Sequence, residues 1–220
     1  MHTSIPALLG AAVIASTAAA TVIPFTEDFN ANASNWRDAG GQTDLTWNAT
    51  GSIDGGAYVS TQFSFVGNVA NDTPVIARGQ SNFGSSNNAF VGNWIADGVT
   101  LMTVSVRHNA PAPLTYFTRF ASPQNFPGAT AITFAPVLPN TWTTLTFPIS
   151  ANSPQFISFE NTDFSTVFSN IGRLQLGVSV PGGLAGATPA FTFDFDKVSI
   201  VPAPASLALL GLGVMLRRRR

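Results

Sequence analysis

The chain has 220 residues, of which 45% are hydrophobic and only 10% are charged, and it contains no cysteine. The lack of cysteine excludes a disulfide framework and any metal site built from thiolates. Residues 21–200 hold six basic and eleven acidic residues, a formal charge of −5, and they lack the clustered basic residues that nucleic-acid binding requires.

The first twenty residues have the composition of a secretory signal peptide. Residues 5–20 are apolar and small, and Ala18-Ala19-Ala20 supplies a small-residue cleavage site. The run is short for a membrane-spanning helix, which needs about twenty apolar residues. We therefore predict a signal peptide over residues 1–20 and one domain over residues 21–200, which is long enough to bury a sizeable core.

Apolar and polar residues alternate with a period of two through most of residues 21–200, which indicates strands with one buried face. The clearest segments are residues 99–107, 144–149, 173–180 and 191–195. Weaker segments are residues 25–29, 44–47, 58–66, 75–78, 114–120, 131–134 and 156–159. Glycine and proline turn signals separate them, and only residues 163–169 favour a short helical turn. The fold class predicted is all-β, a single jelly-roll-like β-sandwich.

The last of these strands changes its parity. Its phenylalanines place the apolar face at odd positions up to Phe195, whereas Val198 and Ile200 are even. Either a β-bulge near Asp196 and Lys197 shifts the alternation, or both faces of the strand are covered. A bulge would redirect the acidic side chains, and bulges are frequent beside functional sites.

The two ends of the domain resemble those of a galactose-binding-like jelly roll, a fold shared by many carbohydrate-binding modules. The resemblance rests on Phe25-Thr26-Glu27-Asp28-Phe29 with Trp36 downstream, and on Phe195-Asp196-Lys197-Val198-Ser199-Ile200. It implies that the first and last strands are neighbours. It also implies a structural calcium held by Glu27 and Asp196, with Asp28 as a substitute, because calcium takes carboxylate and carbonyl oxygens. The alternative is a solvated acidic pair at the edge of the sandwich.

Sugar binding requires exposed aromatic rings beside planar polar groups. Residues 85–94 combine both chemistries and supply two of the predicted ligand-binding residues, Trp94 and Asn93. The third predicted ligand-binding residue is Trp36. The wider candidates are Trp47, Trp142, Tyr58, Tyr116, Asn87 and Asn88. For each tryptophan, burial in the core is the alternative to exposure on a binding surface. Trp142 opens a strand, which favours burial.

No catalytic residue is predicted. The chain has no Gly-x-Ser-x-Gly elbow, no His-Glu-x-x-His, no P-loop and no cysteine nucleophile. His108 lies beside Arg107, but the sequence shows no partner that would make it a base. Glycosidases use paired carboxylates, and residues 21–200 contain only two glutamates, Glu27 and Glu160. The sequence therefore favours a protein that is not an enzyme, with a secreted carbohydrate-active hydrolase as the alternative.

Residues 201–220 contain three consecutive elements. Val201, Pro202, Ala203 and Pro204 are followed by an uncharged apolar run over residues 205–216, and then by Arg217, Arg218, Arg219 and Arg220. This order resembles the PEP-CTERM sorting signal of Gram-negative exopolysaccharide-producing bacteria. In that family a Val-Pro-Glu-Pro motif precedes a transmembrane run and a basic end. Here Ala203 stands in place of the glutamate, and the apolar run is shorter.

The resemblance implies export through the secretion machinery and recognition by the membrane enzyme exosortase. Before processing, the short transmembrane run would hold the chain in the membrane. We expect an exported surface or extracellular-matrix protein of a Gram-negative-type cell envelope. Its expected role is structural or glycan-binding within an exopolysaccharide layer, with polysaccharide as a partner. The alternative is a simple membrane-anchored envelope protein, in which the arginines only stay on the cytoplasmic side.

Overall fold

The structure is a computed structural model that describes residues 24–202. Two antiparallel six-stranded sheets form a β-sandwich. The first sheet contains β1 (Phe25–Glu27), β3 (Thr46–Asn48), β4 (Tyr58–Ser64), β6 (Val99–His108), β9 (Thr143–Pro148) and β12 (Ala190–Pro202). The second contains β2 (Arg37–Asp38), β5 (Val75–Gln80), β7 (Thr115–Ala121), β8 (Gly128–Ile132), β10 (Phe156–Ser158) and β11 (Arg173–Ser179). The prediction of an all-β sandwich is confirmed.

The strand order explains how the ends of the domain meet. The first sheet runs β3-β4-β12-β6-β9, with β1 also paired to β12, and the second runs β10-β8-β7-β11-β5-β2. Phe25 lies opposite Ile200, and Glu27 lies opposite Val198. The first and last strands are therefore neighbours, as the resemblance implied.

The core between the sheets is rich in aromatic rings, because the alternating strands direct their phenylalanines inward. The largest fully buried side chains are Trp36, Trp94, Tyr116, Phe29, Phe65, Phe120, Phe147, Phe168, Phe193, Phe195, Ile76 and Met102. Trp94 packs at 5.6 Å from the Phe120 ring and 6.0 Å from the Phe168 ring, measured between centroids. Full burial of one such side chain stabilises the fold by about 1.5–3 kcal/mol.

One short helix, α1 (Phe164–Phe168), closes the connection between β10 and β11. It begins after Asp163, whose side chain accepts a hydrogen bond from the Thr166 amide at 2.7 Å, the usual N-cap interaction. The helical turn predicted over residues 163–169 is confirmed. Within residues 24–202, no helix has both the length and the apolar character needed to cross a membrane.

The predicted β-bulge lies where the parity changes in β12. The register between β12 and β6 shifts between Asp196 and Ser199, and Lys197 adopts a left-handed backbone with φ of +47°. Phe195 and Val198 are consequently both buried, although they are three residues apart. Left-handed backbone is unusual for a lysine, so the sheet on either side must hold this residue in place.

Of the two alternatives for this strand, the structure shows the bulge. The predicted terminal segments lie mostly outside the described residues. These segments are the signal peptide predicted over residues 1–20, and Ala203, Pro204, Arg217, Arg218, Arg219 and Arg220 of the sorting signal. Val201 and Pro202 are described, and they form the end of β12 opposite Leu101 and Val99. The proline motif therefore begins on the last paired residues of the first sheet.

Candidate functional site

The outer face of the first sheet carries a row of polar side chains that runs across its strands. Ser60 on β4 lies opposite Asp194 on β12, and Asp194 lies opposite Arg107 on β6. Trp142 comes immediately before β9, whose Thr143 pairs with Val106. Residues far apart in the chain thus meet at one position, because cross-strand neighbours lie about 5 Å apart.

Arg107 is the centre of this row. Its Nε donates to Asp194 Oδ2 at 2.7 Å, and its guanidinium carbon lies 4.7 Å from the Trp142 ring centroid and 5.2 Å from that of Tyr58. The two rings meet edge to face at 5.6 Å. Trp142 Nε1 donates to Gly51 O at 3.0 Å. We call Arg107, Asp194, Tyr58 and Trp142 the Arg107 cluster, and its contacts fix the orientation of both half-buried rings.

A polar cavity of about 320 Å³ opens beside the Arg107 cluster. It is lined by Asn48, Tyr58, Ser60, Arg107, His108, Asn109, Asn140, Thr192 and Asp194. Asn48 Nδ2 donates to Ser60 Oγ at 3.0 Å, and the Thr192 amide donates to Asn109 Oδ1 at 2.8 Å. Amides, hydroxyls, a guanidinium and a carboxylate therefore surround a space that an aromatic ring borders.

Burial governs the electrostatics of this face. Removal from water raises the pKa of Asp194, and the ion pair with Arg107 opposes that rise. Burial also lowers the pKa of His108, whose Nε2 lies 3.1 Å from Val137 O and whose ring packs between Tyr116 and Phe193. His108 is therefore a buried core residue whose surroundings favour the neutral imidazole.

Asp196 and Lys197 form the second charged group on this face. The Lys197 amide donates to Asp196 Oδ1 at 2.7 Å, whereas Asp196 Oδ2 is buried without a partner among residues 24–202. Burial raises the pKa of Asp196 to about 6. Lys197 Nζ lies 2.8 Å from Asp54 Oδ2 and 3.3 Å from Asp28 Oδ1, and its hydrogen bond lowers the pKa of Asp54. The loop between β3 and β4, residues 49–57, is thereby fastened over the face.

The geometry does not favour calcium at the residues that the resemblance implied. Glu27 Oε1 accepts a hydrogen bond from the Phe29 amide at 2.9 Å, and the ammonium of Lys197 already provides the positive charge beside Asp28. In residues 24–202 no group of three or more acidic, histidine or cysteine side chains could hold a metal ion. A structural calcium at Glu27 and Asp196 stays a prediction that this arrangement does not support.

The tryptophans predicted to bind a ligand belong to the core. Trp36 Nε1 donates to Ser86 Oγ at 2.9 Å, and Trp94 Nε1 donates to Phe90 O at 3.0 Å. Both side chains are fully buried, so neither ring can stack on a sugar, and these two assignments are wrong. Asn93 is exposed, and its Oδ1 accepts from the Ala96 amide at 2.9 Å. The structure does not bring these three residues together as one surface site.

A second cavity, of about 550 Å³, lies between the segment after β1 and the turns before Trp94. Its lining includes Asn30, Asn32, Asn87, Asn88, Glu27 and Asp28. Phe25 borders it, but this ring packs edge to face on Phe90 at 5.1 Å. The cavity supplies amides and carboxylates for hydroxyl groups. The Arg107 cluster is the stronger candidate because two oriented rings accompany its polar groups.

No protein-family model and no curated protein matches this sequence. Among solved structures the chain is similar to an exo-β-agarase, with a TM-score of 0.50 and 11% identity over 82% of this chain and 26% of that chain. It is also similar to the CBM22-1–GH10 modules of Clostridium thermocellum xylanase 10B complexed with xylohexaose, with a TM-score of 0.46 and 16% identity over 82% and 28%. A third similar structure is the family 11 carbohydrate-binding module of Clostridium thermocellum cellulase Lic26A-Cel5E, with a TM-score of 0.47 and 11% identity over 84% and 97%. The chain spans about a quarter of the length of the first two, and at these identities the similarity concerns the fold alone.

Proposed function

We propose that the domain is a non-catalytic glycan-binding module whose binding surface is the Arg107 cluster with its adjoining cavity. The observation that carries the proposal is the arrangement of Tyr58 and Trp142 around Arg107, with Asp194 bound to the same guanidinium. Aromatic rings offer apolar faces to the C–H groups of a pyranose, while amides, arginine and carboxylates bind its hydroxyls. Because the rings are already fixed, little side-chain freedom is lost when a sugar binds.

The same contacts argue against catalysis. Glycoside hydrolysis uses two carboxyl groups on opposite sides of the bond that is cleaved. Asp194 is bound to Arg107, and Asp196 is buried beside the loop fastened by Lys197. Asp194 lines the cavity but is held by the guanidinium of Arg107, and Asp196 is buried, so these two acids do not form the free pair that hydrolysis uses. A panel of polysaccharides incubated with the protein tests the alternative hydrolase, which we expect to show no turnover.

Binding of neutral polysaccharides to the full chain tests the proposal, with xylan, agarose and mixed-linkage β-glucan as probes in affinity electrophoresis. We expect Trp142→Ala to weaken the binding of whichever polymer is retained by at least about tenfold, the equivalent of about 1.4 kcal/mol. Phe134→Ala is the matched control, because Phe134 is an aromatic residue with 66% of its surface exposed outside the cluster. Equal losses in the two variants, or no retention in any polymer, would overturn the proposal.

We also propose that the domain is exported and sorted by the segment that follows it. The proposal is supported by the position of Val201 and Pro202 at the end of β12, because a sorting segment starting there would follow the folded domain directly. The intact mass of protein isolated from cells tests it. A mass lacking residues 1–20 and Arg217–Arg220 is expected, and retention of the four arginines would favour the simple membrane anchor instead.

A further inference from the structure

The outer face of the second sheet concentrates positive charge. Among residues 24–202 there are six basic residues, and four of them belong to strands of this sheet: Arg37, Arg78, Arg119 and Arg173. Cross-strand pairing places Arg37 opposite Arg78, Arg78 opposite Gln175, and Gln175 opposite Arg119. We call the four cross-strand neighbours Arg37, Arg78, Gln175 and Arg119 the arginine row. It crosses four adjacent strands and, at about 4.8 Å per strand, extends for about 14 Å.

Arg119, at one end of the row, is fully occupied by the protein itself. Its Nη2 donates to Glu160 Oε2 at 2.8 Å and to Asn125 O at 2.6 Å, and its Nε contacts the other oxygen of Glu160. Its Nη1 donates to Asn125 Oδ1 and to Gln175 Oε1, both at 3.0 Å. All three nitrogens therefore have acceptors, and Arg119 supports the fold.

Arg173 lies beside the row and is also largely occupied. Its Nε and Nη2 both donate to Pro123 O, at 2.9 and 2.8 Å, and its Nη1 donates to Gln80 Oε1 at 2.8 Å. The carbonyl and the amide are neutral, so the positive charge of Arg173 is hydrogen-bonded without being neutralised.

Arg37 is held at the other end of the row. Its Nη1 donates to Gly41 O at 3.2 Å, and its guanidinium lies 4.3 Å from the Phe83 ring centroid. Its Nε is 3.4 Å from an oxygen of Asp44, an exposed residue. A pair of this kind is open to solvent and neutralises the charge of the face only weakly.

Arg78, in the middle of the row, differs from its neighbours. Its Nε donates to Ala39 O at 2.7 Å, which orients the guanidinium, but its two terminal amino groups have no acceptor among residues 24–202. The side chain lies beside the loop that contains Ala39. Burial and the charges of Arg173 and Arg119 lower the pKa of Arg78, and Asp38 opposes this. An arginine nevertheless stays protonated in proteins.

We propose that the arginine row is a binding site for an anionic polysaccharide, with a carboxylate or sulfate group held by the terminal amino groups of Arg78. A planar guanidinium offers two parallel N–H donors that match either anion. Arg78 would hold one charged group of the polymer, and the uncompensated charge of Arg173 beside the row adds to the attraction. The net charge of −5 on residues 21–200 opposes the approach of any polyanion, so binding here depends on the local concentration of arginines on this face. This site is on the opposite sheet from the Arg107 cluster and does not depend on it.

Binding of the full chain to polygalacturonate and to dextran sulfate tests the proposal, with neutral dextran as the reference polymer. The two polyanions separate a carboxylate ligand from a sulfate ligand. We expect retention by at least one polyanion and none by dextran, and we expect added salt to weaken the binding by screening. Arg78→Gln should weaken it by about tenfold or more, because a charge-assisted hydrogen-bonded pair is lost. Arg78→Lys, which keeps the charge but loses the parallel donors, should give an intermediate loss.

Lys197→Gln is the matched control, since it removes one positive charge from the first sheet, and circular dichroism of each variant verifies its fold. The proposal is supported when Arg78→Gln loses binding and Lys197→Gln retains it. It is overturned when neither polyanion is bound, when both variants lose binding equally, or when Arg78→Lys binds as tightly as the wild type. Equal or tighter binding of single-stranded DNA would also overturn it, because the site would then select phosphate polymers.

Discussion

The two outer faces of the sandwich hold their buried charges in different ways. On the first sheet the charged residues at the centre are acidic: Asp194 is paired with Arg107, and Asp196 accepts a hydrogen bond from the backbone amide of Lys197. On the second sheet the central residues are arginines, and most of their acceptors are carbonyl and amide oxygens. The central carboxylate of the first face, that of Asp194, is therefore paired with a guanidinium, whereas the central guanidinium of the second face, that of Arg78, has no carboxylate partner among residues 24–202.

The two faces therefore suit ligands of different charge. The first face combines a paired guanidinium and carboxylate with two oriented rings, an arrangement consistent with the uncharged sugar that we propose as its ligand. The second face keeps Arg78 without a carboxylate partner at its centre, and its rings lie over the other guanidiniums: Phe83 at 4.3 Å from that of Arg37 and Phe126 at 5.2 Å from that of Arg119. Excess charge on a half-buried surface is costly unless a counterion arrives, so a face of this kind suits a charged partner.

The largest expected effect is at Arg119, the most fully bonded residue of the second face. Arg119→Ala leaves Glu160, Gln175 and Asn125 without their shared donor in a partly buried position. We expect the free energy of unfolding to fall by about 3 kcal/mol, since breaking a buried pair leaves an uncompensated partner. Urea denaturation measures it. A loss below 1 kcal/mol would mean that this network adds little to stability.

Arg107→Met tests the balance of charge on the first face. The change leaves Asp194 buried without its cation, and we expect a loss of about 2 kcal/mol in the free energy of unfolding. Addition of Asp194→Asn in the same chain should restore part of that loss, because the uncompensated carboxylate is removed. A double-mutant cycle of urea midpoints measures the coupling. Strictly additive losses would show that the pair does not act as a unit.

Much of the fold could be predicted because the information is local. The segment predicted over residues 99–107 is β6, the segment over 173–180 is β11, and the change of parity near Asp196 correctly indicated the bulge. Each of these is an alternation of neighbouring side chains, which the sequence displays directly. The two-residue strand β2 had no such pattern, and it was missed although it carries Arg37.

The candidate sites could not be predicted from local patterns. The Arg107 cluster joins side chains from β4, β6, β12 and the turn before β9, and only the register of the sheet brings them together. Residue type alone misled the interpretation of Trp36, which packs so closely that a Cβ at Gly79 would come within 2.6 Å of its ring. Tyr58 and Trp142 were among the wider candidates, and the one local signal, the position of Trp142 at the start of a strand, favoured packing instead of a binding surface.

The pH dependence of the free energy of unfolding tests whether Asp196 on the first face is buried as a carboxyl group. Because burial raises its pKa in the folded protein from 3.8 to about 6, the folded state binds more protons than the unfolded state between these values. The free energy of unfolding should therefore fall as the pH rises through this window. Asp196→Asn removes this titration, so the variant should gain about 1–2 kcal/mol relative to the wild type on going from pH 4 to pH 7.

Thermal unfolding of the wild type and of Asp196→Asn across pH 4–7 tests this prediction. The charge of Lys197 lowers the pKa of Asp196, and that of Asp54 raises it. Lys197→Gln should therefore increase the loss in the free energy of unfolding between pH 4 and pH 7. A difference between Asp196→Asn and wild type that is constant with pH would show that the Asp196 carboxyl titrates as it does in water.

The smallest expected effect on stability is at Arg78, which differs from Arg119 on the same face. Arg119 and Arg78 are in the same cross-strand row, yet only Arg119 has acceptors for all its nitrogens. Arg78→Gln removes one hydrogen bond, to Ala39 O, and also removes the repulsion from Arg119 and Arg173. Because these terms oppose each other, we expect the urea-derived free energy of unfolding to stay within about 0.5 kcal/mol of the wild type. A loss near that of Arg119→Ala would assign Arg78 to the supporting network and leave the row without a residue reserved for a ligand.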